Sequence, residues 1–481
     1  MLANSQLLLV DGELVTASDG AVYSNINPAT EEVIGAAPAA TRDDAVAAIA
    51  AARHAFDLSS WSQDADLRRE SLQAFADGLR KISEDLRTVI VAESGSPVAL
   101  TRSIQLDGPL DYLQYYIDLI AADEVEHPLP AKEIFGVPSR RIIRREPIGV
   151  VAAITPWNYP FYLNIAKIGA ALAAGCTVVL KPAPETPWSA TLIGAVAAET
   201  LPPGVLNVIT TPDNSVAEIL TTHPDVDAVT FTGSTATGRL VMANAAGTVK
   251  RVLLELGGKS AAVLLDDADF AAAIPGVVGG TCGHAGQGCA LLTRLLVPRH
   301  RLAEAVGLAE ATIAAIPYGD PTDPVNIMGP LVSARQRDRV LGYFDLAREE
   351  GRVVAGGGRA EQFDRGYYVQ PTLVADVAPD ARIAQEEIFG PAVVVIGFDD
   401  DADAIRIANG TIYGLSGAVF GSPDRALGVA RTLRTGTVAV NGAGWFDVES
   451  PFGGYRQSGN GREWGADSLR EFQETKTISH P

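Results

Sequence analysis

Between residues 149 and 256, short apolar runs alternate with helical segments in one unbroken series. GVVAAITP leads to a helix near 161–174, TVVLKP to one near 188–200, VLNVIT to a short one near 214–221, and AVTFTG to one near 236–246, ahead of RVLLELGG. Strands apolar along their whole length and separated by helices predict a parallel sheet covered on both faces. A second α/β series follows residue 289: RLLVPR, a helix near 301–314, PTLVADV, AVVVIGF, a helix near 401–408, AVFGS, a helix near 423–433 and GTVAVN. Upstream, 40–58, 64–93 and 104–122 read as helices, with Thr41 as N-cap of the first. Pro128, Pro130 and Pro138 predict irregular structure over 126–140, whereas SRRIIRREP at 139–147 reads as an exposed strand. The tail EFQETKTIS alternates like a strand. A chain of 481 residues exceeds one ordinary core, so two or three domains are expected.

The formal net charge of −20 is spread along the chain and disfavours contact with phosphate backbones, which argues against nucleic acid as a partner. Three cysteines, Cys176, Cys282 and Cys289, do not make a disulfide framework and fit a reducing cytoplasm. MLANSQLLLVDGELV lacks a basic leader, and no run of about 20 uncharged apolar residues is present, so neither a signal peptide nor a membrane span is expected. No cluster of residues suggests a metal site.

Four short stretches carry chemistry. Cys289 follows Gly286-Gln287-Gly288, a turn that leaves a thiol approachable and could offer backbone N–H groups to a thiolate. Taken alone, a buried structural cysteine is the commoner reading, and Cys176 in AALAAGCTVVL is one. Glu255 sits inside the apolar run LLELGG, where burial raises a carboxyl pKa toward the range of a general base. Asn158, in TPWNYP at the end of the first strand of the series, offers an amide donor of the kind that stabilises an oxyanion. FTGSTATG follows a strand and opens a helix, a context that suits phosphate, although it is not G-x-G-x-x-G.

Together these stretches resemble the aldehyde dehydrogenase superfamily over nearly the whole chain. TPWNYP, LKPAPETP, FTGSTATG, LELGGKS, GQGC, EEIFGPA and PFGGYRQSGNGRE occur in that family's order and spacing, with Glu255 and Cys289 34 positions apart. The resemblance implies three parts. A Rossmann-like NAD(P) domain spans 1–124 and 148–256. An α/β catalytic domain spans 257–457. A small β arm, 125–147 with 458–481, bridges to a neighbouring subunit in a homotetramer or homodimer.

The resemblance also implies roles. Cys289 attacks the aldehyde to give a hemithioacetal, then a thioester; Asn158 holds the oxyanion, Glu255 activates the hydrolytic water, and Lys167 helps to relay protons. Ile154, Thr155, Trp157 and Leu256 would line the cofactor. Lys181 would reach the adenosine ribose with Glu185 next to it, Gly233 and Ser234 the pyrophosphate, and Glu387 with Phe389 the nicotinamide ribose. Pro184 stands where many NAD-preferring relatives carry a glutamate, which leaves NADP open. Asp213, an acid near the expected adenine, favours NAD.

The expected substrate pocket has small residues, Leu163, Ala166 and Gly283, where relatives often have aromatics, alongside Tyr159, Trp445, Phe446 and Phe452. That pattern predicts a roomy apolar mouth for medium-chain, terpenoid or aromatic aldehydes. A CoA-acylating relative and a non-catalytic protein on the same fold are the rival readings; Glu255 opposes the first, and the set Cys289, Glu255 and Asn158 opposes the second.

Overall fold

The computed structural model describes residues 6–444 and 446–481. The series from 149 to 256 forms the centre of an eight-stranded sheet. Its strands run in the order Gly459–Asn460, Arg251–Glu255, Ala228–Thr232, Val150–Ile154, Thr177–Lys181, Leu206–Val208, Leu8–Val10 and Glu13–Val15. The five central strands are parallel, and antiparallel strands from the two ends of the chain close the edges. Val150–Ile154, Thr177–Lys181 and Ala228–Thr232 are buried at every position, as a sheet covered on both faces requires.

The chain winds outward from Val150–Ile154 through Thr177–Lys181 to Leu206–Val208. It then returns to place Ala228–Thr232 on the other side of Val150–Ile154. The direction of winding reverses there, and the loops after those two strands diverge to leave a crevice at the carboxyl edge.

A second sheet of seven strands runs Arg352–Ala355, Thr372–Ala375, Ala392–Phe398, Arg294–Pro298, Ala261–Leu264, Ser416–Phe420 and Thr437–Val440. It has its own apolar core, in which Val263, Leu296, Val394 and Phe344 are almost fully buried. Several elements of this unit were not foreseen, among them the strand Ala261–Leu264, the helix Phe270–Cys282, the helix Ala334–Glu350 and the strand Arg352–Ala355. Pro275 lies inside the helix Phe270–Cys282, and Gly276, Gly279 and Gly280 hide its period.

Thr41 caps the helix Arg42–Leu58 through a reciprocal pair: its Oγ1 accepts from the Asp44 N–H at 3.2 Å, and Asp44 accepts from the Thr41 N–H at 2.8 Å. The single helix expected over 64–93 is two, Ala65–Lys81 and Ser83–Ser94, broken at Ile82. Glu84 and Asp85 fall in the first turn of the second helix, where its dipole favours acids.

The irregular stretch expected over 126–140 is instead a hairpin, Glu126–Ile134 and Val137–Pro147, joined by Gln473–His480 into a three-stranded sheet. Prolines fit because Glu126–Ile134 is an edge strand whose register slips between Leu129 and Lys132, and Pro138 lies beyond the stretch paired with Gln473–His480. No helix among the described residues is long and apolar enough to cross a membrane.

Candidate active site

Three chain segments bring Cys289, Glu255 and Asn158 to the junction between the two large sheets. Glu255 ends the strand Arg251–Glu255, Asn158 lies in the loop after Val150–Ile154, and Cys289 lies between the helix Phe270–Cys282 and the strand Arg294–Pro298. The approach to Cys289 is tight. Gly286 has φ +70°, and a Cβ there would stand 2.1 Å from the Gly390 carbonyl oxygen. The Asn158 side-chain amide donates to the Gln287 carbonyl at 2.9 Å, so the amide sits two residues from the nucleophile with a second N–H to give.

Cys289 is half-buried. Burial pushes its thiol pKa up, and the charges of Glu255, Glu387 and Glu463 push the same way. A backbone N–H pulls the other way, as the glycine turn predicts, but burial is the larger effect and keeps the proton on the sulfur.

Glu255 is buried, and neither carboxyl oxygen has a hydrogen-bond partner of normal geometry among the described residues. Burial raises its pKa well above the carboxylate range; Glu463 raises it further, while Lys167, Arg462 and the nearby Gly454 N–H pull it down. Lys167, on the helix Pro160–Ala174, donates to Glu463 Oε1 at 2.7 Å and to Thr230 Oγ1 at 3.1 Å. Lys167, Glu463 and Glu255 thus make one buried cluster of ionisable groups. Glu463 escaped the sequence reading, although it closes the glycine-rich motif PFGGYRQSGNGRE.

The remaining expected site residues gather at the crevice. Trp157 meets Phe389 edge to face, with ring centroids 5.3 Å apart. The Gly233 N–H donates to the Glu255 carbonyl at 3.0 Å, and Ser234 caps the helix Thr235–Ala245 by accepting from the Thr237 N–H. Leu256 packs closely on Gly238, and Ile154 is buried beneath the crevice. Thr155 donates to Asn164 at 2.7 Å. Lys181 is buried with one carbonyl partner, Pro182 O at 3.1 Å, and burial lowers its pKa to about 8. Glu387 accepts from the Gly258 N–H at 2.8 Å, and burial raises its pKa to about 7. A Cβ on Gly257 would fall 2.3 Å from Glu387 Oε2, so only glycine admits that carboxyl. Glu185 reaches the other way, to Arg335 at 3.1 Å. Asp213 caps the helix Asn214–Thr222 from an exposed position.

The pocket residues divide. Leu163, Ala166 and Phe452 are buried in the apolar core beside the eight-stranded sheet, with Tyr159 and Phe446 packed against it. A Cβ on Gly283 would meet nothing within 4 Å among the described residues. Tyr112, Tyr162 and Trp464, outside the expected set, join Tyr159 and Phe446 in an aromatic cluster. Tyr112 stands 5.8 Å from Phe446 and 5.0 Å from Trp464, and Tyr162 stands 6.2 Å from Tyr159 and 5.8 Å from Phe446. Trp445 lies outside the described residues.

Comparison with known proteins agrees with this geometry. The model of the aldehyde dehydrogenase family matches residues 15–478. The chain belongs to the aldehyde dehydrogenase family. It is 38% identical to a geranial dehydrogenase of Castellaniella defragrans over 99% of each protein. It is 41% identical to a 3-succinoylsemialdehyde-pyridine dehydrogenase of a Pseudomonas species, over 98% of this chain and 97% of that one. It superposes with a TM-score of 0.93, at 38% identity, on a cysteine-to-alanine mutant of aldehyde dehydrogenase C from Pseudomonas syringae in complex with NAD+ and octanal; the match covers 99% of this chain and 97% of that one. The family and its fold were thus both legible in the motifs.

Proposed function

We propose that this aldehyde dehydrogenase oxidises medium-chain, terpenoid or aromatic aldehydes to carboxylic acids with NAD+. The observation that carries the reading is the convergence of Cys289, the Asn158 amide and the buried Glu255 from three separate segments. Relatives that act on geranial, or were crystallised with octanal, support the substrate range.

The cofactor fits residues of the crevice. Lys181 uses one carbonyl partner and keeps two N–H groups for a ribose, and Glu387 is held by Gly258 with one carboxyl oxygen left to accept. Gly233 and Ser234, at the start of the helix Thr235–Ala245, suit a pyrophosphate. When bound, NAD+ supplies the hydride acceptor.

Cys289 Sγ bonds to the aldehyde carbon as its proton passes to Glu255, the buried base beside it. The oxyanion takes hydrogen bonds from Asn158 Nδ2 and the Cys289 N–H. Loss of hydride leaves a thioester on Cys289. Glu255 removes a proton from water, which attacks the thioester and returns the thiol with release of the acid. The proton passes from Glu255 toward Glu463 and Lys167. The CoA-acylating reading is weaker, because a thiol acceptor needs no buried base such as Glu255.

The eight-stranded sheet serves as the cofactor unit, the seven-stranded sheet as the catalytic unit, and the three-stranded sheet as the arm that pairs with a neighbouring subunit in a tetramer. Efficiency across straight-chain, terpenoid and aromatic aldehydes tests the substrate range. kcat/KM should rise from acetaldehyde to octanal and geranial, by about threefold or more per added methylene in the early members. Highest efficiency on acetaldehyde would refute it, and a clear preference for NADP+ would refute the cofactor assignment.

A further inference from the structure

The loop that delivers Cys289 contains an unused buried imidazole. His284 is 1% exposed, and its Nε2 lies 2.7 Å from the Asn158 carbonyl oxygen. A carbonyl only accepts, so Nε2 carries the proton. Nδ1 has no partner among the described residues, and burial lowers the ring's pKa to about 4, so the imidazole is neutral. The ring also packs edge to face on Tyr159, with centroids 5.4 Å apart.

The Asn158 carbonyl takes a second bond, from Gln105 Nε2 at 3.0 Å. The Asn158 side chain in turn donates to the Gln287 carbonyl at 2.9 Å, and Gln287 Nε2 donates back to the His284 carbonyl at 3.1 Å. The circuit His284–Asn158–Gln287–His284 is therefore closed. It ties the loop after the first parallel strand to the loop before the nucleophile.

The backbone at this point is unusual. His284, Ala285 and Gly286 have φ of 51°, 53° and 70°, three successive left-handed residues of which two carry a Cβ. For His284 and Ala285 this conformation crowds the Cβ against the backbone and is disfavoured. The conformation persists because the His284 N–H donates to the Ile327 carbonyl at 3.0 Å and the Gln287 N–H to the His284 carbonyl at 3.1 Å. The curl turns the Gln287 carbonyl toward Asn158 and the His284 ring toward the Asn158 main chain.

We infer that His284 is a positioning residue for the oxyanion hole: its Nε2–H fixes the Asn158 main chain so that the Asn158 amide faces the oxygen of the carbonyl that Cys289 attacks. The inference rests on the role given to Asn158 above. Full loss of one oxyanion donor costs about 10²–10³ in rate, and misplacing it costs part of that.

The test compares two chemistries of one thiol in the full-length enzyme. Aldehyde oxidation needs the oxyanion hole, whereas alkylation of Cys289 by iodoacetamide does not. His284→Phe keeps the ring contact with Tyr159 and removes the donor. It should slow the NADH burst about tenfold while alkylation stays within about twofold. His284→Gln, which restores a side-chain N–H, should recover most of the burst. Combined with Asn158→Ala, His284→Phe should add little further loss, because both act on one group.

A burst within about twofold of the parent overturns the inference, as does a double-variant loss equal to the product of the singles. If Asn158→Ala itself leaves the burst intact, the reading of Asn158 fails; if Asn158→Ala is slow and His284→Phe is fast, only the inference about His284 fails. Should His284→Phe not fold, Gln105→Leu, which removes the other bond to the same carbonyl, carries the same comparison with the same two outcomes.

Discussion

Glu463→Gln and Lys167→Met should move the pH dependence of turnover in opposite directions. Glu463 and Lys167 form a buried pair at 2.7 Å, 8% and 1% exposed at their side chains, beside the buried Glu255. Glu463 raises the Glu255 pKa, and Lys167 lowers it. Removing the Glu463 charge therefore lets Glu255 ionise at lower pH, and the acidic limb of thioester hydrolysis moves down. Removing the Lys167 charge moves that limb up. A change of about 1.4 kcal/mol in these charge interactions alters the ionised fraction tenfold on the limb. The stability costs differ as well. Glutamine keeps an acceptor for Lys167, so Glu463→Gln loses about 1–2 kcal/mol, the difference between a charge-assisted and a neutral hydrogen bond. Lys167→Met strands a buried carboxylate and costs about 3–5 kcal/mol. The assay is the pH profile of the steady rate after the NADH burst, with burst amplitude showing that acylation survives, and denaturant unfolding for stability. Limbs that shift in the same direction, or do not shift, would refute the charge cluster as the control on Glu255.

Lys181 gives a second pH signature. Its ammonium loses its proton near pH 8, so KM for NAD+ should rise above that pH in the parent and lose this dependence in Lys181→Met, as measured by initial rates from pH 6 to 10. Trp464 is fully buried, lies near Tyr112, Tyr116 and Tyr162, and donates from its indole to the Tyr162 hydroxyl at 2.8 Å; Trp464→Ala should cost about 3–5 kcal/mol in chemical unfolding, and a loss below about 1 kcal/mol would show that the aromatic cluster is loosely packed.

The parallel strands were legible because burial on both faces leaves an uninterrupted apolar run, as in Val150–Ile154. The helix Phe270–Cys282 was not, because its apolar face is written in alanine and glycine, and Pro275 reads as a stop. The strand Glu126–Ile134 was not legible for a related reason: proline breaks a central strand but is tolerated on an edge, and edge position is a property of the assembled sheet. At the site, Cys289, Glu255 and Asn158 stood out through their local settings. Glu463 and His284 did not, since their importance comes from partners 296 and 126 positions away. The raised pKa of the Cys289 thiol was hidden on the same ground. Neighbouring glycines were visible in the sequence, whereas the carboxyls of Glu387 and Glu463 reach Cys289 only through the fold.

The three-stranded sheet presents two open edges, and unpaired strand edges invite indiscriminate growth into aggregates. Here the exposed strands carry charge instead of grease. Arg144 pairs with Glu126 and Glu146, Lys476 also pairs with Glu146, and Lys132 and Glu133 lie on the outer strand. A foreign strand laid on either edge would bring its own side chains against this fixed pattern of signs. Only a strand of matching charge order escapes repulsion, so edges that could join strands together also limit which strands they accept.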